Sequence, residues 1–243
     1  MAQQLLRTVL ATEVVMEPEF MTGTGSHVHL LFFDGGSRGN PGPGGSGAIV
    51  VRTGAMVAGV QVCWIGSMAY ASKKTTNNMA ENMGLLAGLK ACEARKYEPL
   101  HVIGDSAMII RQQAQRKPFK AKHLRNYYWS SRKIADKLNV IQWHHHLRGQ
   151  NKMADCLANL AMDSKRSFQM HVTSDTAQLQ RWNSVLTHMD GDVAQWQSAN
   201  RQSMRDSILM TPQKWRERGE NWPSWPEDEQ REAGSGTAAL YRV

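Results

Sequence analysis

Four carboxylates in this chain have types and spacings that could do chemistry. Asp34 ends the apolar run Val28–Phe33, and Asp105 follows the run Leu100–Ile103. Glu81 falls in the first turns of a helical pattern that opens at Asn77, and Asp155 near the start of another that opens at Asn151. If the two runs are parallel neighbouring strands, Asp34 and Asp105 emerge side by side while the helices bring the other two acids in from the flanks. Such a cluster repels itself and raises its own pKa values. It persists cheaply only if divalent cations neutralise it. Oxygen ligands of this kind favour Mg²⁺ or Mn²⁺ over zinc, and two such ions about 4 Å apart serve in-line attack on phosphorus. The chemistry read from the residues is metal-assisted phosphodiester hydrolysis. Each acid alone has a plainer explanation: a solvated hairpin turn for Asp34, a helix cap for Asp105, helix-dipole partners for Glu81 and Asp155. Four plain explanations at once are less economical.

The surrounding residues exclude some other chemistries. The glycine- and proline-rich stretch after Asp34, GGSRGNPGPGGSG, has no Lys-Ser or Lys-Thr behind its glycines, so it is not a P-loop, and it lacks dinucleotide-site spacing. Cys63, Cys92 and Cys156 lie far apart among apolar neighbours and read as reduced core thiols. The 243 residues suit one core of ordinary size with tails, or two small domains. No apolar run approaches a membrane span, and the N-terminus resembles neither a signal peptide nor a transit sequence, so the reading is of an intracellular protein, nuclear or cytoplasmic.

Charge agrees with a phosphate-bearing substrate. Residues 26–170 hold twenty Lys or Arg against eight acids, whereas the flanking segments are each slightly acidic. Between 111 and 137 there are nine bases and one acid, Asp136. A solvated helix face usually mixes signs, so a basic block of this kind favours a nucleic acid.

The elements that must position the acids follow from periodicity. Strands are expected at Val28–Phe33, Ala48–Arg52, Met56–Ile65, Leu100–Ile103 and Val140–Trp143. Helices are expected at Asn77–Arg95, Ser106–Ala114, His123–Leu138 and Asn151–Asp163, with Arg116–Lys122 irregular around Pro118. This order describes an α/β protein, a mixed five-stranded sheet with helices on both faces. Residues 1–25 read as a flexible leader with a short helix at Gln3–Val15, 26–170 as the catalytic domain, and 171–243 as a Trp-rich extension. In the extension Thr176–Ala199 could form a helical hairpin about Asp190–Gly191, and ENWPSWPEDEQ reads as disordered or as a docking segment for a protein partner.

The blocks FDGGSRGNPGPGGSGAIV, TTNNMAENMGLLAGL, VIGDSAMIIRQ and NKMADCLANLA resemble, in order and spacing, the four motifs of ribonuclease H type 1, in a form similar to domains of retrotransposon polyproteins. The resemblance runs from about Val28 to Met162. It implies a ribonuclease H-like fold that cleaves the RNA strand of RNA–DNA hybrids with two Mg²⁺ ions, or Mn²⁺ in their place, leaving 5′-phosphate and 3′-hydroxyl ends. It makes Asp34, Glu81, Asp105 and Asp155 the metal ligands. Asn40, Asn77 and Asn78 match positions that touch the hybrid in its minor groove, and Lys74 and Thr76 match a pocket for a DNA-strand phosphate. The backbone of Gly35 and Gly36 would pass close to the RNA.

The chain also departs from the family pattern. The histidine that many members carry on a loop before the last aspartate has no counterpart, because WHHHLRGQNKMAD is too short, and Arg148 occupies the shortened turn. His144 and His146 should point to one face of their strand and His145 to the other, so the triplet is not one metal site. A core or rim role is expected for His145 and His146. The basic handle is compact, with Lys120, Lys122 and Arg125 placed to follow a phosphate backbone above Trp129. The alternatives left open are a non-catalytic hybrid or double-stranded RNA binding module, and an interaction protein working through its tail.

Overall fold

The computed structural model describes residues 27–54, 59–172 and 176–208. The leader and ENWPSWPEDEQ lie outside the described residues. The chain forms β1 (Val28–Ser37), β2 (Gly44–Thr53), β3 (Gln61–Tyr70), α1 (Asn77–Arg95), β4 (Leu100–Gly104), α2 (Ala107–Gln115), α3 (Lys122–Ala135), β5 (Val140–His145), α4 (Lys152–Ser164), β6 (Phe168–His171), α5 (Asn183–Leu186) and α6 (Met189–Ile208), with 3-10 turns at Arg148–Gln150 and Thr176–Trp182.

The sheet has six strands rather than five, in the order β5-β4-β1-β2-β3-β6. The sixth, β6, pairs antiparallel with β3, so the expected boundary at 170 falls inside a strand. β1 runs parallel to β4 and antiparallel to β2, and β4 runs parallel to β5. As an inner strand β1 is buried on both sides, which is why LLFF reads as one apolar run without alternation.

The two faces are covered by different helices. Leu31 and Phe33 of β1 point into a core shared with Leu85 and Leu89 of α1, Ile109 of α2 and Tyr128 of α3. Leu30 and Phe32 point the other way, against Met153 and Leu157 of α4 and, further along, Trp182, Val185, Val193 and Trp196. Those last four come from the C-terminal extension and are 1–5% exposed. Burying such side chains is worth about 1.5–3 kcal/mol each, so residues 182–196 are part of this core.

Three expected boundaries move. Asp34 is the seventh of ten residues in β1 rather than its last, because Gly35, Gly36 and Ser37 continue the ladder opposite Gly44–Ser46. The glycines read as loop are strand, and the loop shrinks to residues 38–43. The described third strand runs from Gln61 to Tyr70, past the expected end at Ile65, and the expected start at Met56 lies outside the described residues. Asp190–Gly191 lies inside the first turn of α6, and the chain breaks instead between α5 and α6, around Thr187–His188. Among the described residues no helix is long and apolar enough to cross a membrane.

Candidate active site

Register sets the heart of the site. Phe33 of β1 lies opposite Gly104 of β4 in the parallel pair. The next residues are Asp34 and Asp105, so the two carboxylates leave adjacent strands at the same level. Glu81 is the fifth residue of α1, whose first turn is fixed by Thr76: its hydroxyl accepts from the Met79 N–H at 3.3 Å. Asp155 sits in the first turn of α4.

Electrostatics tie the four together. Asp34 is only 5% exposed. Burial first, then neighbouring Asp105, and less strongly Asp155 and Glu81, push its carboxyl up to about 8, against the opposing pull of the Gly35 N–H, which donates to its Oδ1 at 2.7 Å. Burial likewise lifts Glu81 to about 7; the Ser106 hydroxyl donating to it and the charge of Arg148 hold it down, and Asp105 adds to the rise. These are the shifts of a crowded, desolvated acid cluster. The positive charge facing it is Arg148, whose Nη2 donates to Asp155 Oδ1 at 3.0 Å. The other Asp155 oxygen accepts from Asn159 Nδ2 at 3.1 Å.

The donor set suits a hard divalent ion. All four side chains offer oxygen, and Glu81 Oε2 is buried with no hydrogen-bond partner, an acceptor that a cation would satisfy. Among the described residues no group of three or more His, Cys, Asp or Glu closes on a point that could hold an ion; Mg²⁺ ordinarily keeps several waters in its shell.

The remaining candidate residues fall in three places. Asn40, Lys74, Thr76, Asn77 and Asn78 gather where the β1–β2 loop meets the start of α1: Asn40 Oδ1 accepts from the Asn77 N–H at 3.0 Å, and Asn77 Oδ1 accepts from Ser37 N and Oγ, both at 2.9 Å. Lys74 and Asn78 are exposed there. Gly35 owes its missing side chain to the fold, since a Cβ there would overlap the backbone of Ala80 and Glu81; at Gly36 the nearest atom, in Met162, is 3.5 Å away. Lys120 and Lys122 are exposed before and at the start of α3, and Arg125 donates from Nε to the Phe119 carbonyl at 2.9 Å. Of the basic block, Arg116 and Arg132 both pair with Asp136 at 2.7 Å and so belong to the scaffold. Trp129 is buried against Tyr128.

The histidines divide as strand alternation requires. His145 is exposed, its Nε2 lying 3.2 Å from the Asp105 carbonyl oxygen. His144 and His146 are buried, with His146 edge-on to Phe32. Two residues that shape the site were not singled out from the sequence. Ser106, directly behind Asp105, carries the signal of a helix cap but donates to Glu81 instead. Asn151 is fully buried and donates from Nδ2 to the Phe33 carbonyl at 2.9 Å, beside Asp34; it lies in the fourth motif, yet nothing local announces that contact.

Comparison with known proteins places this arrangement. A family model described as reverse transcriptase-like matches residues 32–161. The ribonuclease H of Pseudomonas fluorescens is 30% identical over 158 residues, covering 57% of this chain and 93% of that protein. The bifunctional protein Rv2228c of Mycobacterium tuberculosis is 34% identical over 131 residues, which is 54% of this chain but 34% of the relative, so the chain spans about a third of that protein. The solved N-terminal RNase H domain of Rv2228c, fused to maltose binding protein, superposes with a TM-score of 0.51 at 34% identity, covering 57% of this chain and 96% of the other. With motifs, sheet order and relatives in agreement, the chain belongs to the ribonuclease H family.

Proposed function

We propose that this chain is an endoribonuclease that hydrolyses the RNA strand of RNA–DNA hybrids. The observation that carries the reading is Asp34: a carboxylate buried to 5% exposure among three others, its pKa driven up to about 8, costs stability unless it serves a cation. In this reading Asp34, Glu81, Asp105 and Asp155 hold two Mg²⁺, or Mn²⁺ in their place. Bound there, the ions would supply an activated water and charge stabilisation at the scissile phosphate. A water oxygen bonds to phosphorus, the bond to the 3′ oxygen breaks, and that oxygen takes a proton, leaving 5′-phosphate and 3′-hydroxyl ends.

The chain's own residues bind and orient the duplex. Lys74 and Thr76 receive a DNA-strand phosphate at the start of α1, where backbone N–H groups and the helix dipole favour an anion. Asn40 and Asn77, joined by the bond from the Asn77 N–H to Asn40 Oδ1, and Asn78 face the minor groove, and the backbone of Gly35 and Gly36 passes close to the RNA. Lys120, Lys122 and Arg125 follow the phosphates further along. Arg148 pairs with Asp155 and competes with a cation for it, and His145 and His146 take no part in the bond-breaking step.

The test is a labelled hybrid incubated with the full chain in Mg²⁺ or in EDTA, with Asp105→Asn as control. Cleavage of the RNA strand in Mg²⁺ alone, lost in the variant, is the expected result. Binding without cleavage would replace this reading with the non-catalytic module.

A further inference from the structure

The start of α4, which carries Asp155, is held from outside the segment that the family model covers. The first N–H groups of a helix need partners. Asn151, at the cap position, turns its side chain away to the Phe33 carbonyl and leaves the helix without a side-chain cap of its own. The partner comes instead from α6: Asp192, 2% exposed, accepts from the Met153 N–H through Oδ2 at 2.8 Å. α6 is itself seated by Val193 and Trp196, the latter donating from Nε1 to His144 Nε2 at 3.4 Å. The matched segment ends at residue 161, thirty-one positions before Asp192.

Two bonds therefore set where α4 begins. Asn151 ties it to β1 at the carbonyl before Asp34, and Asp192 ties it to α6. We propose that Asp192 is a positioning residue of the active site, acting through the first turn of α4 to hold Asp155 against Asp34, so that the C-terminal extension belongs to the catalytic unit. This rests on the nuclease reading above.

The experiment uses the full chain and three readouts. In a Mg²⁺ titration without hybrid, followed by NMR shifts of the α4 amides, Asp192→Ala should raise the midpoint about tenfold, the size of effect seen when a group supporting a metal ligand is lost. Asp192→Asn, whose amide oxygen can still accept from Met153, should recover to within about threefold. In hydrogen exchange of the wild type, the Met153 amide should open together with the amides of α6, which needs no variant to fold. In cleavage assays, Asp155→Asn should cost less in the Asp192→Ala background than alone, whereas a purely global destabilisation would add. A folded Asp192→Ala protein with the wild-type Mg²⁺ midpoint, or α6 amides that exchange freely while Met153 stays protected, overturns the proposal. No Mg²⁺ response in the wild type overturns the nuclease reading and this inference with it; a wild-type response that Asp192→Ala leaves unchanged overturns this inference alone.

Discussion

The guanidinium of Arg148 lies 3.0 Å from the Asp155 carboxylate while its side chain is 78% exposed. An ion pair so open to water contributes little to stability, about 0–1 kcal/mol, so its effect is on the charge of the site. Arg148→Ala should leave the melting temperature nearly unchanged and lower the Mg²⁺ concentration needed for half-maximal cleavage by about two- to fivefold, because a cation that competes for Asp155 is gone. The same variant should bind hybrid less well. A Mg²⁺ titration at fixed hybrid checks the first point, and an unchanged midpoint would remove Arg148 from the site's charge balance.

The raised acids link stability to pH in the metal-free protein. Asp34 titrates near 8 and Glu81 near 7 in the folded chain, against about 3.8 and 4.5 for the ordinary groups. Between those values the folded state binds more protons than the unfolded one, so stability falls as pH rises from about 4 to about 8. Melting curves in EDTA should therefore shift downward from about pH 6.5 to pH 8, above the range in which the buried histidines act, and Mg²⁺ should restore more at pH 8 than at pH 5. Asp105→Asn removes one source of the repulsion. It should gain about 1 kcal/mol in EDTA at pH 8 while losing cleavage.

A second pH effect has the opposite sign and a different location. His101 and His144, in van der Waals and hydrogen-bond contact across β4 and β5 with Nδ1 to Nε2 at 2.8 Å, are lowered by burial to about 4 and about 3. The unfolded chain takes up these protons near 6.5, the folded chain only well below, so stability is lost as pH falls from 6.5 through about 4. In saturating Mg²⁺, which suppresses the opposing titration of the acids, urea midpoints should drop between pH 7 and pH 4.5. Because Trp196 packs on both rings, its fluorescence should report the transition. A flat profile would contradict the buried neutral pair.

Gly35→Ala tests the packing that places Glu81. The added methyl meets the α1 backbone at Ala80 and Glu81 rather than a side chain that can turn away, so α1 must move. The expected cost is about 1–3 kcal/mol, with a loss of cleavage larger than the loss of stability explains. Gly36→Ala, with nearest atoms at 3.5 Å in a flexible methionine, should be far milder. Equal effects at the two positions would argue against the difference in packing.

What could be read from the sequence follows how local each signal is. α1 was legible from Asn77 to Arg95 because its apolar spacing and its Thr cap are both carried within the segment. The four acids were legible because each stands at a change of pattern. The far end of β1 was not, since Gly35 is there to admit α1, and a glycine chosen for close approach looks like loop. β6 has four residues, FQMH, too few for their alternation to carry a signal, and pairs along the edge that β3 offers. The Asp190–Gly191 pair reads as a turn, yet acids in a first turn also favour a helix start. The bond from Asp192 to Met153 spans 39 residues, and no periodicity reports a contact of that kind.

The covering of one sheet face by Trp182, Val185, Val193 and Trp196 has a consequence for biosynthesis. During translation the residues around Ile103 and Leu157 emerge from the ribosome well before the chain that will shield them, so the nascent protein carries a bare greasy surface until about residue 200 is made. Its maturation is thereby timed to a late stretch of the message, and ribosomes that stall between the two would release a sticky, unfinished intermediate.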